Sequence, residues 1–137
     1  MKWVTEGRPH VDRCASAWFI RRFVDPRAEF VLIRRGEPVP RGPTPFDLPG
    51  VRFGHQNGQV TFDVLLREYP QKTRGLGKIA HLVRDIDLGE FRLAESRGLD
   101  TLLYGIRLME SDDGRVLERT GPLFEALRRY YADEAQA

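Results

Sequence analysis

The sequence predicts one α+β domain in which a small, mostly antiparallel sheet with a hairpin is covered by about five helices. Three observations carry this expectation. Two short runs rich in β-preferring residues, 2–5 and 28–33, lie near the N-terminus. Asn57-Gly58, next to an alternating segment, is a strong two-residue hairpin signal. From Thr61 onward, apolar residues recur with helical spacing. The 137 residues, 41% of them apolar, suffice for one core without staples. Cys14 is the sole cysteine, so an internal disulfide and thiolate-rich zinc sites are excluded.

In chain order, the first strand ends at Gly7 and Pro9. Asp12 occupies an N-cap position before a helix from about Arg13 to Val24, which Asp25-Pro26 stops because a residue preceding proline is pushed out of helical geometry. On a helical wheel Ala15, Trp18, Phe19, Ile20 and Phe23 cover more than half the circumference, so this helix should pack on two sides. Arg22 falls inside that arc and must either snorkel or meet a carboxylate. The strand at 28–33 leads into a proline-studded connection, 36–49. Residues 51–56 alternate; with a turn at Asn57-Gly58, His55 faces Val60, Phe53 faces Phe62, and His55 points toward the core. Thr61 caps a helix reaching Tyr69, and Leu76, Ile79, Ala80, Val83 and Ile86 mark a second helix. The apolar run 99–109 marks a third, and Gly121-Pro122 opens a last one through Tyr131, with a frayed tail over 132–137.

Charge excludes some functions. Of 22 basic residues 19 are Arg, a bias that codon usage explains for scattered surface positions. Residues 1–42 carry nine basic and five acidic side chains and the remainder 13 and 15, too slight an excess for direct nucleic-acid binding. No glycine-rich phosphate loop or dinucleotide fingerprint is present, so no nucleotide cofactor is expected. No apolar run reaches the roughly 18 to 20 residues of a membrane span, and 1–7 lacks a signal-peptide core, which makes the cytoplasm the expected compartment.

Several residues are able to carry chemistry. His55, on an apolar face beside Gly54, suits a metal ligand or an acid/base, or else a buried neutral histidine held by a carbonyl. His10 and Asp12 alternate around Val11 and project together beside a helix N-terminus, with Arg13 adding a planar guanidinium; a simple cap is the competing role for Asp12. Asp87 returns to the apolar side of its helix and needs a partner there: a metal, a histidine or an arginine. Asp47 sits between two prolines that stiffen its loop, and Asp63 lies in a first helical turn, where an acid suits the dipole. His81 and Asp85 have ligand-pair spacing but fall on the polar side of their helix, which points to a solvated face. Cys14 reads as an inert small residue beside the apolar arc.

Three segments together resemble one family. Trp3-Val4-Thr5 with 8–13 and 16–25, then 44–51 with His55 and 61–63, then 83–87, resemble the ChrB-type chromate-resistance domain from about Trp3 to Tyr131. The resemblance implies a role in sensing or handling chromate in a bacterial cytoplasm. It singles out Asp12, Arg13, Arg21, Arg22, Asp47, His55, Asp63 and Asp87 as positions that match the family and can do chemistry. Ser16 stands where such regulators often carry a cysteine, which argues against direct thiol chemistry. Regulators of this type also carry a further N-terminal region, so DNA binding is not carried over.

Joining both readings, His55, Asp87 and Asp12 are expected to bind a divalent metal, Zn, Mn or Fe, with Arg13, Arg21 or Arg22 holding an oxyanion. His10, Asp47 and Asp63 are secondary candidates. The alternatives are a small metalloenzyme that activates water, and a structural domain whose polar residues form a buried ion-pair network.

Overall fold

The first strand of the chain forms the middle of its sheet. A computed structural model describing residues 1–134 places β1 (Lys2–Glu6) between β2 (Glu29–Ile33) and β3 (Thr44–Pro45). Both neighbours run parallel to β1, with Trp3 opposite Phe30 on one side and Thr44 on the other. The predicted antiparallel sheet is therefore corrected to a wholly parallel one. The cause is the connection: β1 returns to β2 through a helix, and a crossover of that kind delivers parallel strands. A turn does form at Asn57-Gly58, where the Gln56 amide donates to the Gln59 carbonyl at 3.1 Å and the reverse bond is 2.8 Å. It joins no strands, because the chain becomes helical at Thr61. Residues 51–56 add only a single parallel bridge, Phe53 to Phe46.

Among the described residues there are five α-helices: α1 (Val11–Phe19), α2 (Thr61–Glu68), α3 (Leu76–Asp87), α4 (Ser96–Met109) and α5 (Asp113–Glu134). The first helix begins two residues before the expected position, with His10 as its N-cap and no side-chain cap bond, so Asp12 is not its cap. It continues as a π-helical turn, Ile20–Val24, closed by a 2.7 Å bond from the Asp25 amide to the Ile20 carbonyl. That wider turn shifts the wheel on which Arg22 appeared to face the core. Arg22 is exposed and pairs with Glu125 at 3.2 Å. The last helix begins at Asp113 and passes through Pro122, eight residues before the predicted start of Gly121-Pro122. It runs on to Glu134, and residues 135–137 of the predicted tail lie outside the described residues. Among the described residues no helix is long and apolar enough to cross a membrane.

Aromatic side chains hold these layers together. The Trp18 ring of α1 is stacked between Phe62 of α2, 6.4 Å away and 7° from parallel, and Phe124 of α5 at 6.0 Å. Trp3 packs edge-on to Phe46 and beside Phe53, tying the sheet to the 46–60 segment, while its indole N–H donates to Asp25 at 3.0 Å. Phe62 is fully buried and also meets Phe19 edge-on at 5.5 Å. Phe62→Ala should therefore cost about 3–5 kcal/mol of stability, read as a drop in denaturant midpoint. A loss below about 1 kcal/mol, the level of a surface change, would show that the Trp18 stack does not join α1 to α2.

Candidate metal centre

In a parallel sheet the carboxyl ends of the strands open toward one side, and side chains from the following segments meet there. Here the segment after β1 supplies His10, Asp12 and Arg13, and the segment after β3 supplies Asp47, Leu48, Pro49 and His55. With Asp87 from the end of α3 they line an open cleft of about 470 Å³.

Asp12 lies at the bottom of the cleft and is 2% exposed. Its carboxylate accepts the amides of Thr61 and Phe62, each at 2.9 Å. It therefore caps the N-terminus of α2 rather than its own helix, satisfying two of the free donors every helix start leaves. Its Oδ1 also accepts the buried Ser16 hydroxyl at 3.5 Å, and its Oδ2 reaches the cleft. His55 Nε2 lies 2.8 Å from Asp12 Oδ2 and 3.4 Å from Asp87 Oδ2, and Asp47 Oδ1 is 4.0 Å away. The expectation that His55 points into the core is corrected: with no opposing strand it sits at the cleft rim with its side chain 52% exposed. Gly54 fixes that position, since a Cβ there would stand 2.6 Å from the Leu48 carbonyl oxygen. The close approach that Gly54 permits is to the chain's own backbone.

Asp47 adopts a left-handed backbone, φ 52°, held by its amide bond to the Phe53 carbonyl at 2.7 Å. Its Oδ1 accepts the Thr61 hydroxyl at 2.7 Å. Arg13 Nε stands 3.0 Å from Asp47 Oδ2 without hydrogen-bond alignment, so the contact is an ion pair, and the rest of the guanidinium donates to the Asp47 and Gly7 carbonyls at 2.9 and 3.2 Å. At the rim, Arg107 donates to His10 Nδ1 at 2.6 Å, which places the proton of the neutral ring on Nε2. Arg107, on the flank of α4, was not singled out from the sequence; its position beside the inward-facing Leu103 and Ile106 is the signal that was available.

The other predicted residues lie elsewhere. Arg21 donates to the Ala28 carbonyl at 2.8 Å and lies over the Phe30 ring, and Arg22 is held by Glu125, so neither reaches the cleft. Asp63 accepts the Val60 amide at 3.3 Å and pairs with Arg84, which is the helix-start role. His81 is exposed. Asp85 is not on a solvated face: it is buried and accepts the amides of Arg92 and Leu93, at 3.0 and 2.9 Å, and the Ser96 hydroxyl, because the turn before α4 folds back over it. Cys14 is buried, and burial pushes its thiol up to about 12, leaving it inert.

The electrostatics of the cleft are those of crowded acids. Burial raises the Asp47 carboxyl to about 7, reinforced by the nearby Asp12 charge. Burial and Asp12 also raise Asp87, which sits at a helix C-terminus, where the dipole opposes a negative charge. The hydrogen bond to Asp12 raises His55 to about 9, with the Asp12, Asp87 and Asp47 charges adding to it against partial burial. His10 moves the other way, lowered by burial and then by Arg107 and Arg13. Asp12, His55 and Asp87 each offer one ligand atom, and these atoms lie within 4.8 Å of one another. Surplus negative charge around one imidazole, open to solvent on one side, fits a divalent cation held by nitrogen and oxygen ligands.

Comparison with known proteins adds a family. The profile of the family described as "ChrB, C-terminal domain" matches residues 3–131. Protein ChrB of Cupriavidus metallidurans is 31% identical over 132 residues, covering 96% of this chain and 41% of that protein. The chain thus spans about two fifths of the length of that relative. No solved structure matches the chain.

The His55 environment sets a pH dependence. Because the folded-state value near 9 lies above the ordinary 6.5, the stability this contact contributes is fully present below pH 6.5 and is lost as pH rises through 9. In metal-free protein, NMR should show His55 titrating near 9, with Asp12→Asn returning it toward 6.5. A midpoint at 6.5 in the unaltered chain would contradict the Asp12 contact.

Proposed function

This chain belongs to the family of ChrB C-terminal domains, a chromate-resistance family, and we propose that it binds a divalent metal in the cleft and through it senses or handles chromate or a related oxyanion. One observation supports this above the rest: His55 Nε2 lies within 2.8 Å of Asp12 Oδ2 and 3.4 Å of Asp87 Oδ2 in a solvent-open cleft. The ligand set of one imidazole and two carboxylates suits Zn, Mn or Fe. Asp12 is held by two α2 amides and Asp87 by the end of α3, so two of the three ligands sit on helices rather than on free loops.

The metal also accounts for how an oxyanion would enter. Three carboxylates repel a free oxyanion, and Arg13 is already committed to Asp47 and Gly7. A divalent ion reverses the local sign. An ion held there would attract the oxyanion, with the positive charge of Arg13 in the cleft wall and of Arg107 behind His10 favouring its approach. Arg21 and Arg22 have no part in this reading. On it the domain works in a bacterial cytoplasm as a ligand-responsive module.

A second reading, a small metal-dependent enzyme, is favoured by Asp47. Its carboxyl, raised to about 7 by burial, stands 4.0 Å from His55 Nε2, and a carboxyl balanced near neutrality is suited to take a proton from water at a metal site.

Metal analysis of untreated protein tests the common premise. About one Zn, Mn or Fe per chain is expected, with an increase in Tm on adding metal to stripped protein. His55→Ala and Asp87→Ala should each abolish the increase. Because metal must displace the imidazole proton, apparent affinity should rise with pH up to about 9. Chromate or sulfate should raise Tm further in the metal-loaded protein alone. Absence of metal, with none taken up on addition, leaves the cleft as a structural ion-pair network and overturns the proposal.

A further inference from the structure

A second groove shares no lining residue with the metal cleft. It holds about 510 Å³ between the π-helical turn after α1, β2 and the middle of α5, a volume ordinary for a small-molecule site. Both helices that border it are irregular where they do so. The π turn carries Arg21 and Arg22, and α5 carries Pro122 in its interior. A proline there removes a helix hydrogen bond, and π turns recur at functional sites.

Two hydrogen-bonding groups of this groove lack partners within the chain. Trp18 is 8% exposed, its ring faces covered by Phe62 and Phe124. Its indole N–H makes no hydrogen bond among the described residues, whereas that of Trp3 donates to Asp25. A buried indole N–H ordinarily finds an acceptor. Trp18 lines the groove, and a Cβ on Gly121 would stand 3.9 Å from its Cδ1, the ring carbon bonded to that nitrogen. Gly121 therefore leaves this edge of the indole uncovered. The second group is the Glu118 carbonyl. A helix carbonyl points toward residue i+4, here Pro122 on the same wall, which has no N–H to give it. A free donor and a freed acceptor thus meet at the Gly121-Pro122 step.

Positive charge lies along the rim. Glu125 is shared by three guanidiniums, Arg22 at 3.2 Å, Arg128 at 2.8 Å and Arg129 at 3.2 Å. Arg21 lies over the Phe30 ring and makes no ion pair among the described residues. Even with Glu118 counted, four arginines stand against two acids. An inorganic oxyanion would answer that charge but leave the walls of Phe30 and Leu117 uncovered. An uncharged ligand would cover the walls and leave the charge. We infer that the groove binds a small hydroxy acid with a ring-sized apolar body. Its carboxylate meets the arginines, its body lies against Phe30 and Leu117, and its hydroxyl accepts from the Trp18 N–H while donating to the Glu118 carbonyl. The site works without the metal proposed for the other cleft.

The test is an NMR titration of the full chain that follows its two indole N–H signals, with para-hydroxybenzoate and para-hydroxyphenylacetate as probes. Trp18→Phe identifies the Trp18 signal by removing it. Either acid should shift that signal saturably and leave the Trp3 signal, held by Asp25, in place. para-Hydroxybenzamide, without the charge, and benzoate, without the hydroxyl, should each bind about tenfold more weakly or worse. Arg129→Glu, at a side chain 73% exposed, should weaken the acids to a similar degree, and Gly121→Leu should abolish the shift by filling the groove. Pro122→Ala restores a partner to the Glu118 carbonyl: Tm should rise while the hydroxy acid falls to the affinity of benzoate. An unmoved Trp3 signal in each variant reports an intact fold. A Trp18 signal indifferent to both acids at millimolar concentration, or equal binding of the benzamide, overturns the assignment.

Discussion

The carboxylate of Asp12 joins three parts of the molecule that are far apart in sequence. It leaves the first turn of α1, takes up the two leading amides of α2, and still reaches His55 in the loop between them. A helix start buried against a neighbour must have its free amides satisfied, and an acid there also meets the positive end of the helix dipole. The same contact that closes the α1–α2 interface thus fixes a negative charge at the floor of the cleft. Structure and site share one atom group, so the buried charge is stabilised by the fold before any ligand arrives.

The parallel sheet makes that arrangement possible. Because β2 and β3 both run alongside β1, the segments after β1 and β3 leave the sheet on the same side. An antiparallel β3 would have carried Asp47 and His55 to the opposite end. Trp3 then anchors the 46–60 segment through Phe46 and Phe53, and Gly54 allows Leu48 to pass close enough for the loop to fold over the cleft. Burial of the loop raises the cost of ionising Asp47, which in turn depends on Arg13.

What the sequence revealed and what it hid divide along local and nonlocal physics. The apolar spacing of α3, the stop at Asp25-Pro26 and the end of α4 at Met109 are written in periodicity and proline chemistry, and the structure follows them, although α4 starts three residues before the apolar run. The direction of the sheet is not written there, since β3 is only Thr44–Pro45 and leaves no alternating pattern. The wheel asks a carboxylate for Arg22 and Glu125 supplies it, but at the exposed surface, because a wheel assumes uniform helical twist and a π turn interrupts it. The wheel puts Asp85 in solvent because the turn that covers it, residues 89 to 95, has no regular pattern to announce its path. Asp12 looked like a cap and is one, but of a helix some fifty residues away, which no local rule relates to it. His55 and Asp87 meeting Asp12 is likewise a long-range fact; their residue types and their match to family motifs drew attention to them, and only the fold brings them together.

Asp87 supports the proposed cation over a simple ion-pair network. A network built for stability places acids where dipoles and bases favour them, as Asp63 and Asp85 are placed here, among amides, hydroxyls and an arginine. Asp87 has the reverse: a helix C-terminus behind it, Asp12 before it, and His55 as its one ion-pair partner among the described residues. Removing the His55 proton at high pH would leave the acids of the cleft facing one another with Arg13 alone as counter-charge. On the proposed reading a divalent ion held by His55, Asp12 and Asp87 would replace that proton with twice the charge and so relieve the repulsion. An acid raised by burial and by Asp12, with a helix C-terminus behind it, is thus a physical argument in favour of the proposed metal.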